Sequence, residues 1–433
     1  MARVVVIGGG FGGMAAAARL AKLGHDVTLL ERSHRLGGAL TTVEADGFAW
    51  DAGPTSTLLP AVIRDLFRKS GRPLEREVDL QPLELVREHR FEDGSSLRLP
   101  GGSRAAQLAA VDELGPGLGR QWVDHVAAYG DVWELLRKEW FERAFDGDVA
   151  PRELTALLGG RESLEKRLRR TFRDERLRLV AGHRLVMDGH ELRNAPVFAG
   201  VDAYLEQRFG AWTVPGGLAA LGTAMADRLT LRGVTVVTGT AATDLVIREG
   251  RVAAVRTAGG ETPADHVVVA IDPRRLPALA SYVRRTMPAF PPVVCHVGLE
   301  GEVPDLPHEV VLHGDPLLVV RPGGRAPDGA AAWTVLGRGR LAEDVLTALA
   351  RHGLDVRRQV VARVDLSPRD LVEQWGGSPH GVLWQGPRTA GTRLGPRTPV
   401  PGVLTAGAHA TTGSGLPFAG LSAALVAEMI GRA

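Results

Sequence analysis

Four consecutive apolar positions, Val4-Val5-Val6-Ile7, open the chain and stop at a run of glycines. Short and β-branched, they predict a strand buried on both faces, as in a parallel sheet. Residues 14–23 (MAAAARLAKL) have the Ala and Leu content of a helix. Residues 27–30 form a second apolar run that ends at Glu31, which completes a βαβ pattern. Helical spacing returns over 55–68 through Leu59, Ile63, Leu66 and Phe67. Residues 80–99 alternate instead: Leu83, Leu85 and Phe91, a turn at Asp93-Gly94, then Leu97 and Leu99, which predicts a hairpin.

The middle of the chain reads as helical. Over 104–145, Trp122, Val126, Tyr129, Trp133, Leu136 and Trp140 fall on one stripe. Two readings are open: a helix buried against its neighbours, or an amphipathic lid with Trp and basic residues at a membrane interface. Residues 161–178 are strongly charged and predict a solvated helix laced with i,i+4 pairs. A helix over 218–229, a strand over 234–237, a hairpin turning at Glu249-Gly250 and a buried strand over 265–271 follow. A strand over 293–300 begins a second excursion, and the chain closes with a short strand within 400–408 and an apolar helix over 421–430.

At 433 residues the chain has length for two or three domains. The formal net charge of +2 gives no argument for nucleic acid, and no nucleic-acid module is evident. Cys295 is the single cysteine, so no intrachain disulfide or Cys-rich metal site can form, and it reads as a small buried hydrophobe. No run reaches the ~18 apolar residues of a spanning helix. The nucleotide-type strand begins almost at once, which argues against a cleavable signal peptide. The expectation is a cytoplasmic protein, with peripheral contact to a membrane surface left open.

Gly8, Gly10 and Gly13 stand in the G-x-G-x-x-G register between the first strand and helix. In that register the first glycine serves a tight turn, the second a close approach of pyrophosphate, and the third helix–sheet packing. The phosphates would sit at the positive end of the helix dipole, and Glu31 is placed to accept from a ribose hydroxyl. The glycine pair Gly37-Gly38 lets the chain pass close over an extended ligand, and Phe48-Ala49-Trp50-Asp51-Ala52-Gly53-Pro54-Thr55 follows.

Together these stretches resemble the FAD-binding fingerprint of amine oxidases, protoporphyrinogen oxidase and the phytoene (carotenoid) desaturases. The passage Phe209-Gly210-Ala211-Trp212 to Val214-Pro215-Gly216-Gly217 and the closing segment Val400 to Gly420 resemble the desaturases in particular. The resemblance implies an α/β protein: an FAD-binding Rossmann-like domain of the glutathione-reductase type, with a second domain of mixed β-sheet plus helices. The expected FAD domain is discontinuous, from 1–60, 205–285 and 385–433. Residues 61–204 and 286–384 would form the substrate domain with a helical cap.

The resemblance also implies a non-covalent FAD site. It would include Gly8, Gly10, Phe11, Gly12, Gly13, Glu31, Arg32, Gly37, Gly38, Gly53, Pro54, Thr55, Ala242, Gly407, Ala408, Gly415, Leu416 and Pro417. Pro417 suits the first turn of the last helix, whose dipole would favour negative charge on the flavin's pyrimidine edge. Some positions depart from the family. Ala39 stands where an Arg usually follows the glycine pair, Thr411, Thr412 and Ser414 replace His, Pro and Gly, and Phe418 replaces Gly.

No H-E-x-x-H, no Cys/His ligand set and no G-x-S-x-G elbow is present, so no metal is expected and the hard chemistry falls to the flavin. The resemblance implies oxidation of a C–H bond in an apolar small molecule, a polyene or isoprenoid, by hydride transfer to the flavin. Oxygen or a quinone would be the electron acceptor, since no second nucleotide motif is present. No catalytic residue is assigned; His409 and Arg184 are substrate-side candidates with structural roles as the alternative. Amine oxidation within the same fold is a second reading, and a non-catalytic binding protein resembling the Rab GDP-dissociation inhibitors is a third. Oligomeric state is not legible.

Overall fold

The computed structural model describes residues 1–143 and 150–433. A five-stranded parallel sheet has the order Val403–Thr405, His266–Val269, Arg3–Ile7, Asp26–Leu30, Thr235–Val237. The first strand lies at its centre and is buried on both faces, with Val4 to Ile7 at most 2% exposed. That burial is why its sequence is continuously apolar rather than alternating. Strands far apart in sequence pair here, Val6 beside both Leu29 and Val268.

Helix Phe11–Lys22 packs against this sheet and against helices Leu416–Ile430, Ala219–Leu231 and Pro60–Ser70. Ala15 to Ala18 are wholly buried. Their small side chains let three helices approach one, which explains the alanine run better than helix propensity alone. The last helix begins at Leu416, five residues before the expected start, because Pro417 lies in its first turn and tolerates the missing N–H. Conversely, residues 55–59 are not helical, and the helix expected over 55–68 starts at Pro60.

A mixed seven-stranded sheet has the order Val360–Leu366, Val293–Glu300, Ala330–Arg338, Leu317–Pro322, Val310–Leu312, Leu85–Arg90, Ser96–Pro100. The hairpin read from residues 80–99 forms its far edge, and one parallel pairing, Val310 beside Glu88, joins it to the rest. Cys295 is buried on the second strand, and burial together with Asp365 pushes its thiol up to about 12, the state of an inert core residue. A three-stranded antiparallel sheet, Ala242–Arg248, Arg251–Thr257 and Gly260–Pro263, extends the predicted hairpin by one strand. Its turn places Glu249 and Gly250 at φ 50° and 73°, the left-handed pair that a two-residue hairpin turn requires.

The stretch expected to be helical over 104–145 is broken into Arg104–Asp112, Leu118–Ala127, Gly130–Leu136 and a π-helical turn Arg137–Phe141. Its final residues, 144 and 145, lie outside the described residues. Trp122, Val126, Tyr129, Trp133, Leu136 and Trp140 are all buried, at most 3% exposed, in one aromatic-rich core with Phe141, Phe172 and Phe198. The stripe is therefore interior, not a membrane-facing surface. Residues 161–178 divide into helix Leu164–Thr171 and the start of Glu175–Met187, with Arg169–Glu165 an i,i+4 pair and Arg167 and Arg170 both on Glu162. Among the described residues, no helix is long and apolar enough to cross a membrane.

Candidate active site

The glycines after the first strand are positioned by close contact. Gly8 N–H donates to the Leu30 carbonyl at 2.9 Å and Gly37 N–H to the Gly9 carbonyl at 2.8 Å, tying the 31–38 loop to the glycine turn. A Cβ on Gly13 would lie 1.9 Å from the Gly8 carbonyl oxygen, and one on Gly12 would lie 2.6 Å from the Gly407 Cα. A Cβ on Gly38 would come within 3.1 Å of the Gly10 Cα. Gly10 differs from all of these. Nothing lies within 4 Å of where its Cβ would be, and its φ of −71° suits any residue.

That open space belongs to a cavity of about 1050 Å³. Gly8, Gly10, Phe11, Gly12, Glu31, Arg32, Gly38, Gly53, Pro54, Thr55, Ala242, Gly407, Ala408, Gly415, Leu416 and Pro417 all line it. Of the expected set, Gly13 and Gly37 do not reach the wall: Gly13 is sealed beneath Gly8, and Gly37 serves the loop through its N–H. Helices Phe11–Lys22 and Leu416–Ile430 both begin on the cavity with no acidic residue in the first turn. Their unpaired N–H groups and positive dipole ends suit a negatively charged ligand.

Glu31 lies at one side of this wall. Its Oε2 accepts from Gly9 N–H and its Oε1 from Ser33 N–H, each at 2.7 Å. Each carboxylate oxygen keeps a further lone pair, so the side chain is held in place and still able to accept. Arg32 extends its guanidinium to the Glu373 and Gln374 carbonyls, across to the segment after the seven-stranded sheet. Asp51 Oδ2 and Oδ1 accept from Leu218 N–H and Ala219 N–H at 2.9 Å, fastening the motif around Gly53 to the start of helix Ala219–Leu231. These groups fit an extended flavin nucleotide: an open cradle at Gly10, two acid-free helix starts and an anchored carboxylate.

Away from the glycines part of the wall is aromatic and apolar. Leu136, Trp140, Phe141, Phe198, Trp384 and Phe418 line it, with Phe141 and Phe418 5.2 Å apart and Phe198 and Trp384 5.6 Å apart between ring centroids. Trp140 and Phe141 belong to the π-helical turn that ends the stripe. Phe418 and Thr412, two departures from the desaturase pattern, are joined by a hydrogen bond from Thr412 Oγ1 to the Phe418 carbonyl. Ala39 lines the same cavity.

His409 and Arg184 both line the cavity. Burial pushes the His409 imidazole down against the opposing charge of Asp272, whose Oδ1 lies 4.0 Å from Nδ1. Neither ring nitrogen has a hydrogen-bond partner among the described residues. Arg184 faces Asp202 at 3.4 Å.

Several polar groups had no signal in the sequence. Arg87 is buried and forks onto Glu206 at 2.9 and 2.6 Å, while its Nε meets Glu309 at 2.9 Å. Arg321 closes the network on Glu309 at 2.8 Å. Burial opposes ionisation of Glu309, but Arg321 and Arg87 hold it well below the usual carboxylate range. Asp188 pairs with His380 at 2.9 Å. These partners come from separate elements and follow no spacing rule, so only pairing in three dimensions brings them together. Among the described residues no group of His, Cys, Asp or Glu is arranged to hold a metal ion.

A parallel nucleotide-type sheet, a mixed sheet and one long cavity with a glycine-lined half and an aromatic half define a flavoenzyme of the oxidoreductase class. The chain belongs to the flavin containing amine oxidoreductase family, which it matches over residues 11–430. It is 30% identical to a hydroxyneurosporene desaturase of Cereibacter sphaeroides, covering 99% of this chain and 97% of that one. It is 29% identical to a phytoene dehydrogenase of Streptomyces griseus, covering 99% and 94%. Within the family it therefore falls in the phytoene-desaturase-like branch. A cyclohexylamine oxidase from Brevibacterium oxydans shares the fold, with a TM-score of 0.67 at 17% identity over 99% of each chain.

Proposed function

We propose that the protein is an FAD-dependent desaturase that oxidises a C–H bond of an apolar, extended small molecule, a polyene or isoprenoid. The observation that carries this reading is the cavity itself: one continuous space joins the Gly10 cradle to a pocket walled by Trp140, Phe141, Phe198 and Trp384. A bound flavin supplies the two-electron redox chemistry, as a hydride acceptor. The chain's own residues bind, orient and exclude water.

Gly10, Gly12 and Gly38 would let the pyrophosphate lie against backbone, with Glu31 toward the ribose and Ala242 beside the adenine. Gly407, Ala408, Gly415, Leu416 and Pro417 would face the flavin ring. The aromatic wall then holds an apolar chain by burial, roughly 25 cal/mol per Å² of apolar surface, and positions one of its carbons over the ring. Asp188, Asp202 and Glu309 of the cavity wall are each held by a cation, so we assign none of them as a base, which suits an activated allylic C–H. We assign residues 1–60, 205–285 and 385–433 to the cofactor domain and the intervening segments to the substrate domain. Oxygen or a quinone would serve as acceptor, and a cytoplasmic enzyme working at a membrane surface is consistent with an apolar substrate.

Amine oxidation is the less supported reading. Tyr129, Tyr204 and Tyr282 are the only tyrosines of the sequence, and none lines the cavity. The test is an absorbance spectrum of the purified protein with heat release of the chromophore, followed by anaerobic titration. Bands near ~375 and ~450 nm with free FAD released, and bleaching by polyenes but not amines, support the proposal. Bleaching by amines alone overturns it.

A further inference from the structure

On the aromatic side of the cavity stands a cation that no carboxylate among the described residues neutralises. Arg393 lies on its wall, stacked over Trp384 with the guanidinium carbon 4.1 Å from the ring centroid. Its one hydrogen bond among the described residues runs from Nη2 to the Val382 carbonyl at 2.9 Å. Nε has no solvent contact and no partner among the described residues. Nη1 points toward the 407–417 segment, where a Cβ on Gly413 would lie 3.4 Å away. The carboxylates of the same wall are already engaged, Asp188 with His380 and Asp202 with Arg184. Burial pushes Arg393 down to about 10, with no carboxylate to offset it.

An arginine costs free energy to place in such a site unless its remaining donors find acceptors. Here the stacked Trp384 ring and one backbone carbonyl hold it in place, while Nη1 faces the join between the glycine-lined and aromatic halves. A hydrocarbon offers no acceptor at that point. We propose that Arg393 receives a carboxylate on an otherwise apolar substrate, so that the enzyme acts on an acidic isoprenoid or polyene rather than on a hydrocarbon. This rests on the desaturase reading above and names its substrate class.

The test compares two polyenes that differ only in their end group, all-trans-retinoate and all-trans-retinol, binding to the flavin-loaded protein. Quenching of tryptophan fluorescence gives both dissociation constants without turnover. Retinoate is expected to bind at least about tenfold more tightly, a charge-assisted hydrogen bond being strong enough for that factor. Arg393→Met should remove that preference while changing retinol affinity less than about twofold, and Arg393→Lys should restore part of it. The wild-type comparison needs no variant, so a misfolded variant leaves the result intact. Equal affinity for the two ligands, with both binding, overturns the carboxylate proposal and leaves the desaturase reading standing. Failure of both to bind a protein that holds FAD overturns the two together.

Discussion

The Gly13 Cα sits so close beneath the Gly8 carbonyl that a Cβ there would lie 1.9 Å from its oxygen. Gly10, three residues earlier, has open cavity where its Cβ would be. Two glycines of one motif thus stand in opposite surroundings, one closed in by the protein and one open to the cavity.

Gly13→Ala must push the helix off the sheet, so the variant should lose about 3 kcal/mol or more of stability. Gly10→Ala should leave the melting temperature of the flavin-free protein unchanged and abolish flavin retention. Thermal melts and the ratio of bound flavin to protein check both. A Gly10→Ala protein that keeps full flavin would show that the cradle is not where the cofactor lies.

Glu31→Gln keeps the volume but turns an amide N–H₂ toward either the Gly9 or the Ser33 N–H, each of which now donates to a carboxylate oxygen at 2.7 Å. Losing one charge-assisted hydrogen bond costs about 1.5–3 kcal/mol. FAD affinity should fall at least about tenfold, measured by equilibrium dialysis, with the apoprotein still folded.

The Arg87–Glu206–Glu309–Arg321 network makes a pH prediction. Glu309 has a folded pKa lowered from 4.5, so its contribution is fully present above about that pH and is lost as pH falls below it. Glu309→Gln leaves Arg87 and Arg321 with one fewer counter-charge and should cost about 3–5 kcal/mol at neutral pH. It should also flatten the fall in stability below pH 4.5. Melting temperature against pH for the two proteins provides the check.

The buried histidines act earlier in an acid titration. His89 Nδ1 lies 2.9 Å from His313 Nε2, and His183 stands edge-on at 4.8 Å between ring centroids. Burial lowers all three from 6.5, so they are neutral when folded, and the unfolded chain binds more protons than the native one as pH drops through 6.5. Stability should therefore begin to fall near pH 6.5, above the range where the Glu309 contribution is lost. His313→Phe, stacked on Phe91, should reduce that first loss. An unchanged profile would rule the cluster out as its source.

Much of the nucleotide half was legible because its physics is local. A strand buried on both faces must be continuously apolar, and a helix start packed as closely as Gly13 is beneath Gly8 admits no Cβ. The strand, the three glycines and Glu31 therefore sit within the first 31 residues, and the 80–99 hairpin and the Glu249-Gly250 turn announce themselves by alternation and turn chemistry. Periodicity also identified the Trp122–Trp140 stripe. It could not say whether that stripe met protein or lipid, because a helix's apolar face is the same toward either. Packing against Phe172 and Phe198 decided it.

The rest of the cavity depended on contacts between distant parts of the chain. Arg87 meets Glu309 across 222 residues and Glu206 across 119. Arg393 reads as one more arginine in an arginine-rich chain until the fold lays it over Trp384 with no counter-ion among the described residues. Sequence alone determined the strand–glycine–helix pattern and Glu31, which lie in one short βαβ stretch, although Gly12 meets Gly407 and Val6 lies beside Val268 only in the fold. Tertiary structure decided which charges face the cavity, because the free energy of a buried charge depends on what the rest of the chain brings within a few ångströms of it.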